Sequence, residues 1–131
     1  MTETGPVSAL LDQLLATALA KKATHLEITH AADLPSVRFW IEGEWQEQLY
    51  PSLEIHVPLV RRLGVMIGYS PPTRGYPKIG RLLRRIGEHQ VFLLVLIERA
   101  AQLRALVELV DEAEFSKRKQ PQPPSSHPYR R

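Results

Sequence analysis

The chain has 131 residues, of which 44% are hydrophobic and 24% charged, with 11 prolines and no cysteine. That length is typical of one domain that buries its core without covalent staples. The lack of cysteine excludes a disulfide framework, a thiolate zinc site and a cysteine nucleophile. The longest nearly apolar run, Val91 to Ile97, is too short to cross a bilayer, and no basic signal-peptide start is present. We therefore expect a cytoplasmic protein without membrane insertion.

The formal net charge of +3 comes from the C-terminal end of the chain. From Ser116 onward there are five basic residues and no acidic ones, so the first 115 residues carry 12 bases against 14 acids. The body of the protein is therefore close to neutral, which argues against a nucleic-acid-binding protein. Residues 116–131 form a basic, proline-rich tail, which is predicted to be disordered.

The hydrophobic pattern predicts a single α+β domain over residues 1–115. The predicted elements are a helix at Val7–Lys21, strands at Thr24–Thr29, Ser36–Glu42 and Trp45–Tyr50, a helix at Leu53–Ile67, strands at Gly80–Ile86 and Gln90–Ile97, and a terminal helix at Glu98–Phe115. Gly43 suits a tight hairpin turn, and Pro58 is compatible only with the first turn of its helix. The order α-β-β-β-α-β-β-α predicts an antiparallel sheet of about five strands with flanking helices.

No catalytic motif accompanies this pattern. A phosphate loop, a nucleophile elbow and a zinc-protease helix motif are all missing from the sequence. His25 and His30 could approach one metal ion together, but no third ligand is indicated. The glutamates at positions 42, 44 and 47 are typical of a solvated turn. We therefore expect no enzymatic activity, no metal and no cofactor.

A basic stretch between Arg61 and Arg85 contains seven bases and no acid. One interpretation is a solvated face that balances the acidic terminal segment. The other is an anion site in which Arg74 and Arg81 bracket a proline-rich loop, because guanidinium groups match phosphate geometry and prolines stiffen the loop. The seven bases are Arg61, Arg62, Arg74, Lys78, Arg81, Arg84 and Arg85.

Five segments resemble, in order and spacing, the N-terminal PAS-like domain of the hexameric ATPases that drive bacterial type II secretion and type IV pilus assembly. They are Ala23-Thr-His-Leu-Glu-Ile28, Val37-Arg-Phe-Trp-Ile-Glu-Gly43, Gln46-Glu47, Arg62-Leu-Gly-Val-Met-Ile-Gly68 and Arg74-Gly-Tyr-Pro-Lys-Ile-Gly-Arg81. The resemblance extends from Val7 to Arg81 and implies a PAS-like fold.

The resemblance also implies a role without ATP hydrolysis. In that family the domain packs against the motor domain, and its arginines help to close the nucleotide site; Arg38, Arg74 and Arg81 match family arginines by position. The motor's Walker motifs are missing from the 131 residues, and Trp40 stands where the family has a second arginine. The resemblance therefore implies an interaction module for a separate motor domain or machine component, with nucleotide contact only in such a complex.

Two other functions stay open at this point. A small homodimeric secretion chaperone or adaptor has a similar length and order of elements, by analogy of fold alone. Binding of a free nucleotide or cyclic dinucleotide would use the same arginines and the loop between them. Homo-oligomer formation is compatible with each of these functions.

Overall fold

The computed structural model describes residues 5–31, 34–68, 75–99 and 102–124, and the structural statements below concern these residues. Within them the chain forms three helices and six strands in the order α-β-β-β-α-β-β-β-α. The elements are α1 (Pro6–Ala20), β1 (His25–Ala31), β2 (Leu34–Ile41), β3 (Glu44–Leu49), α2 (Leu53–Met66), β4 (Lys78–Ile86), β5 (His89–Arg99), β6 (Leu103–Val110) and α3 (Glu112–Lys117).

The six strands form one antiparallel sheet in the order β3-β2-β1-β6-β5-β4. Strands β1 to β3 and strands β4 to β6 are two meanders of sequential neighbours. The two meanders meet where β1 pairs with β6, and His25 there lies opposite Glu108. The α+β class and the antiparallel sheet are therefore confirmed, with six strands instead of about five.

Helices α1 and α2 cover one side of the sheet, which we call the helical face. Strand side chains alternate between faces, so Val37, Phe39 and Ile41 of β2 point into this core. Leu11 and Leu15 of α1 pack against them and are buried, as the spacing of apolar residues along a helix requires. The centre of the helical face is thus an apolar layer.

Gly80 in β4 marks a close approach between the sheet and the residue that follows α2. A Cβ atom at this position would lie 2.6 Å from the Cβ atom of Ile67, which is closer than two carbons can pack. Gly43, with a φ of +86°, forms the predicted tight turn between β2 and β3 together with Glu42. Glycine is favoured at position 80 because a side chain has no space there, and at position 43 because the backbone has a positive φ.

The predicted terminal helix at Glu98–Phe115 is wrong. Strand β5 continues to Arg99, and residues Leu103–Val110 form β6 between β1 and β5. Leu103, Leu106, Val107 and Val110 do fit helical spacing, but Leu103, Ala105 and Val107 also fit strand alternation, and these three are the buried ones. Pairing on both sides decides in favour of the strand, since a central strand gains hydrogen bonds from two neighbours.

Pro58 also differs from expectation, because it lies inside α2 and not in its first turn. It has no N–H to donate to the carbonyl of Glu54. Both residues are exposed, so water can satisfy that carbonyl. The helix therefore tolerates the proline beyond its first turn.

Of the tail predicted from Ser116 onward, the structure describes residues 116–124, while 125–131 lie outside the described residues. Asp111 accepts a hydrogen bond from the backbone N–H of Glu114 (2.8 Å) and caps α3. Residues 118–124 then lie across the sheet and are held by polar contacts with it. No helix in the described part of the chain is long and apolar enough to span a membrane.

Candidate interaction surface

The side of the sheet opposite α1 and α2 is crossed by residues 118–124, which we call the strap; we call this side the strap face. A row of paired residues runs across it, from Arg81 through Leu94, Glu108 and His25 to Trp40. Leu94 is fully buried although it lies away from the helical core. The strap and α3 therefore cover the centre of this face and leave its two outer parts accessible.

Glu108 is the acidic anchor of the strap. The guanidinium group of Arg118 donates to both carboxylate oxygens of Glu108, and the backbone N–H of Gln122 donates to Oε1 (2.9 Å). Both side chains are largely shielded from water, with exposed fractions of 14% for Glu108 and 18% for Arg118. The hydrogen bond with Glu108 raises the pKa of Arg118. A bidentate, largely buried pair of this kind fixes the orientation of the Arg118 side chain as well as its position.

His25 is the second anchor of the strap. Its Nε2 lies 2.8 Å from the carbonyl oxygen of Gln122, and its Nδ1 lies 2.8 Å from the hydroxyl of Thr24. A carbonyl only accepts, so Nε2 must donate, and the neutral ring then accepts from Thr24 at Nδ1. Burial lowers the pKa of His25, an effect that outweighs the opposing influence of the Gln122 bond and of Glu108. The neutral form thus satisfies every contact of this side chain.

Apolar and aromatic contacts complete the attachment of α3 and the strap. Phe115 packs against Phe92 with ring centroids 5.1 Å apart, and Pro121 is buried. Arg81 lies 4.7 Å above the Phe115 ring and donates to the Phe115 carbonyl oxygen (2.6 Å). Between β4 and the strap lies an open cleft of about 820 Å³, whose lining includes Arg81, Lys117 and Lys119. The exposed surface here is basic.

The predicted arginines are placed apart from each other. Arg38 donates to Glu27 (2.7 Å) and lies 4.7 Å above the ring of Trp45. Arg38 and Arg81 share the strap face, but four strand spacings of about 4.8 Å put their strands roughly 19 Å apart. Arg74 lies outside the described residues. Arg38 and Arg81 therefore cannot converge on one phosphate group within this domain.

The other predicted bases do not form a single face. Lys78 and Arg84 point to the helical face, where Arg84 binds the carboxylate of Asp12 (2.8 and 3.1 Å). Arg85 is exposed on the strap face, and Arg61 is exposed on α2, which also carries the partly buried Arg62. The described bases of the stretch from Arg61 to Arg85 are thus divided between both faces of the sheet and α2.

The histidines are likewise separated. His25 lies under the strap, whereas His30 packs against His56 of α2 on the helical face, with ring centroids 5.0 Å apart. His56 is fully buried, its Nε2 lies 2.8 Å from the Leu103 carbonyl oxygen, and burial lowers its pKa. The described residues contain no group of three metal-ligating side chains. A metal site shared by His25 and His30 is therefore excluded by their positions on opposite faces.

The sequence analysis missed Glu108, Arg118 and Gln122 as parts of this surface. The available sign was Glu108, an acid in a segment whose apolar residues also alternate as in a strand. The segment was interpreted as a helix, which put Glu108 on a solvated side. The strap contacts join residues up to 97 positions apart, and no local pattern encodes them.

Two known proteins are similar to this chain in sequence. No family model matches the chain. It is 27% identical over 108 residues, or 82% of its length, to "Type II secretion system protein E" of Pseudomonas aeruginosa. It is 30% identical over 86 residues, or 66% of its length, to "Type II secretion system ATPase E" of Vibrio cholerae. The chain resembles part of a type II secretion ATPase.

The matched stretches span 22% and 17% of those two proteins, so the chain corresponds to less than a quarter of either. This similarity supports the type II secretion part of the resemblance that the five sequence motifs indicate. More than three quarters of each relative lies outside the match.

Proposed function

We propose that the chain is a non-catalytic accessory module that resembles the N-terminal PAS-like domain of type II secretion or type IV pilus ATPases. It acts in the cytoplasm with a motor or another machine component that these 131 residues do not supply. The observation that carries the proposal is the similarity of most of the chain to a minor part of two secretion proteins. A stretch that matches 22% and 17% of these two proteins fits a module separate from the motor.

The strap face supports a partner surface more than a small-ligand pocket. Arg38, stacked on Trp45, and Arg81, stacked on Phe115, lie on either side of the strap. Arginine and aromatic side chains held in this way are the usual anchors of protein interfaces. A standard interface covers about 800 Å² on each partner, which is enough to reach both arginines across the strap.

Nucleotide contact in this proposal requires the partner. The separation of Arg38 and Arg81 prevents them from clamping one phosphate group, so a second protein must bring the phosphate to one of them. A single guanidinium group delivered in this way stabilises charge on a transferring phosphoryl group. The domain itself needs no cofactor for this role.

The alternative of a homodimeric secretion chaperone receives no support from the fold. Its analogy relied on length and on the order α-β-β-β-α-β-β-α, whereas the described chain has a further strand, β6, before its last helix, α3. Light scattering on the purified chain tests this alternative, because a chain that is monomeric in the absence of any partner excludes a homodimeric chaperone.

The test of the proposed function is binding to a purified motor fragment of a type II secretion ATPase from the same organism, measured by calorimetry. We expect a complex that Arg38→Glu and Arg81→Glu each weaken by at least about tenfold, since charge reversal at an interface arginine costs more than 1.4 kcal/mol. Arg61→Glu, on the exposed side of α2, is the matched control and is expected to bind normally. A wild-type chain that binds no motor fragment, or arginine variants that bind like wild type, would overturn the proposal.

A further inference from the structure

Among the described strands, β4 is one of the two outer strands of the sheet and pairs with β5 alone. It is nine residues long and pairs with β5 from Lys78 to Ile86 without any shift in register. An outer strand of this kind presents a row of backbone groups to solvent, which is a template for a further strand. Proteins commonly protect such edges with prolines, bulges or inward charges. Strand β4 has no proline and no bulge, and of its two inward charges, Lys78 and Arg84, the second is paired with Asp12.

The hairpin turn fixes which backbone groups of β4 point outward. Ile86 and His89 close the two-residue turn at Gly87 and Glu88, so they form a hydrogen-bonded pair. Pairs alternate along an antiparallel ladder between hydrogen-bonded and non-hydrogen-bonded. Arg85, Leu83 and Arg81 are therefore in non-hydrogen-bonded pairs, and their N–H and C=O groups point away from β5.

These outward groups are accessible. Among the described residues, the backbone N–H and C=O groups of Arg81, Leu83 and Arg85 have no hydrogen-bond partner across the outer edge. The side chain of Leu83 is 49% exposed, and both arginines are exposed as well. All three side chains lie on the strap face, because they are two residues apart along one strand.

The charge of β4 limits what can pair with it. The strand contains four bases and no acid, so two copies of β4 would place like charges side by side. The opposite outer strand, β3, carries Glu44 and Glu47, is six residues long and shifts its register with β2 between Val37 and Arg38. On the strap face of β4, the basic side chains of Arg81 and Arg85 lie on either side of the apolar Leu83. This arrangement is complementary to an extended segment that has acidic side chains on either side of an apolar one.

We propose that the outer edge of β4 binds an extended segment of a partner protein by strand addition, with acidic residues placed beside Arg81 and Arg85 and an apolar residue beside Leu83. The backbone groups of these three residues supply the affinity, and the alternate side chains supply the selectivity. The proposal goes beyond the proposed function, since it names the chemistry of a partner segment and stands whether or not a motor fragment binds.

The test uses a synthetic fluorescent peptide in which glutamates lie two positions before and after a central valine, with threonine and valine at the remaining positions. We expect the 131-residue chain to bind it in a fluorescence anisotropy titration and to bind the same peptide with lysines in place of the glutamates at least about tenfold more weakly. Amide hydrogen exchange is expected to slow at Arg81, Leu83 and Arg85 in the complex. Simple charge attraction would leave those amides unprotected.

The decisive variant is Leu83→Pro. Proline is tolerated on an outer strand where the N–H points to solvent, so the fold survives while the central donor of the edge is lost. We expect peptide binding to fall by about tenfold or more, because a bond is lost and the ring obstructs the added strand. Leu83→Thr keeps the N–H and is the matched control, with binding within about threefold of wild type.

Three results would overturn the proposal: no binding of the glutamate peptide, binding that Leu83→Pro leaves unchanged, or self-association of the chain that both Leu83→Pro and Glu47→Lys abolish. The last result would identify the occupant as β3 of a second copy. Circular dichroism of Leu83→Pro establishes that the variant is folded before its binding is measured. Should the variant unfold, Arg81→Glu/Arg85→Glu replaces it and is expected to reverse the preference between the two peptides.

Discussion

The two faces of the sheet are held by different interactions. The helical face is sealed by apolar side chains such as Phe39, Leu11 and Leu15, which are fully or almost fully buried. The strap face is closed by a short segment that depends on Glu108 and His25 for its attachment. Apolar burial is non-directional and adds up over many small contacts, whereas the strap depends on a few directional hydrogen bonds. The first face should therefore control whether the chain folds, and the second should control whether residues 118–124 stay in place.

The strongest test of this contrast is Phe39→Ala in the centre of the helical face. Phe39 is fully buried, and truncation of a buried phenylalanine leaves a cavity that costs about 3–5 kcal/mol. Urea unfolding measured by circular dichroism should show this loss. Val65→Ala, on an exposed part of α2, should change stability by less than about 0.5 kcal/mol. Equal stabilities for the two variants would contradict the assignment of the core.

A second test on the same face is Gly80→Ala. The added methyl group would lie 2.6 Å from the Cβ atom of Ile67, so backbone must shift, at a cost of about 1–3 kcal/mol. Gly64→Ala is the matched control, because its methyl group would meet only the Cδ1 atom of Ile97, at 3.5 Å. Thermal unfolding should separate the two substitutions. A Gly80→Ala protein as stable as wild type would show that α2 does not approach β4 so closely.

On the strap face, Glu108→Gln removes the charge that Arg118 binds. We expect a loss of about 1–2 kcal/mol in overall stability, as for other hydrogen bonds to charged groups. Trypsin should then cleave faster after Lys117, Arg118 and Lys119, as followed by mass spectrometry. Glu112→Gln, at an exposed position of α3, should leave the cleavage rate as in wild type. Unchanged cleavage of Glu108→Gln would mean that the strap has another anchor.

The smallest expected effect is a dependence on pH. Burial lowers the pKa of His25 and His56 below the ordinary histidine value, so the unfolded chain binds more protons than the folded one as pH falls through about 6.5. Stability is then highest above that pH, and each histidine removes less than about 1 kcal/mol at pH 6. Urea unfolding at pH 7.5, 6 and 5 measures the slope.

Replacing a buried histidine and, separately, an exposed one shows whether His25 contributes to the dependence of stability on pH. His25→Gln should flatten the dependence on pH, because the strap then lacks its titrating anchor. His89→Gln, at an exposed position, should leave it as in wild type. If stability depends on pH equally in wild type, His25→Gln and His89→Gln, then His25 does not contribute to that dependence.

Much of the helical face could be predicted from the sequence. The alternation of Val37, Phe39 and Ile41 and the helical spacing of Leu11 and Leu15 each determine a buried side without any distant information. The hairpin at Gly43 could also be predicted, since its positive φ favours glycine. These features are local, and a single sequence contains them.

Strand β6 and the strap could not be predicted in the same way. The apolar residues from Leu103 to Val110 fit both periods, and only the presence of β1 and β5 on either side selects the strand. The strap has a composition typical of disorder, and its contacts with Glu108 and His25 exist only once β1 and β6 are paired. Arg38 and Arg81 were assigned correctly to strands from the sequence, but their separation on the strap face follows from strand order, which periodicity does not encode.

The junction of β1 with β6 has a consequence for how the chain is made. The strand that joins the two meanders is the last one to leave the ribosome, yet it lies in the middle of the sheet. Until residues 103–110 emerge, β1 and β5 each lack a neighbour, and the exposed strands resemble the aggregation-prone intermediates of other sheet proteins. Closure of the sheet joins segments distant in sequence, which slows folding. Completion of the sheet therefore requires β6, and a nascent chain that stalls before β6 holds two half-sheets in need of protection.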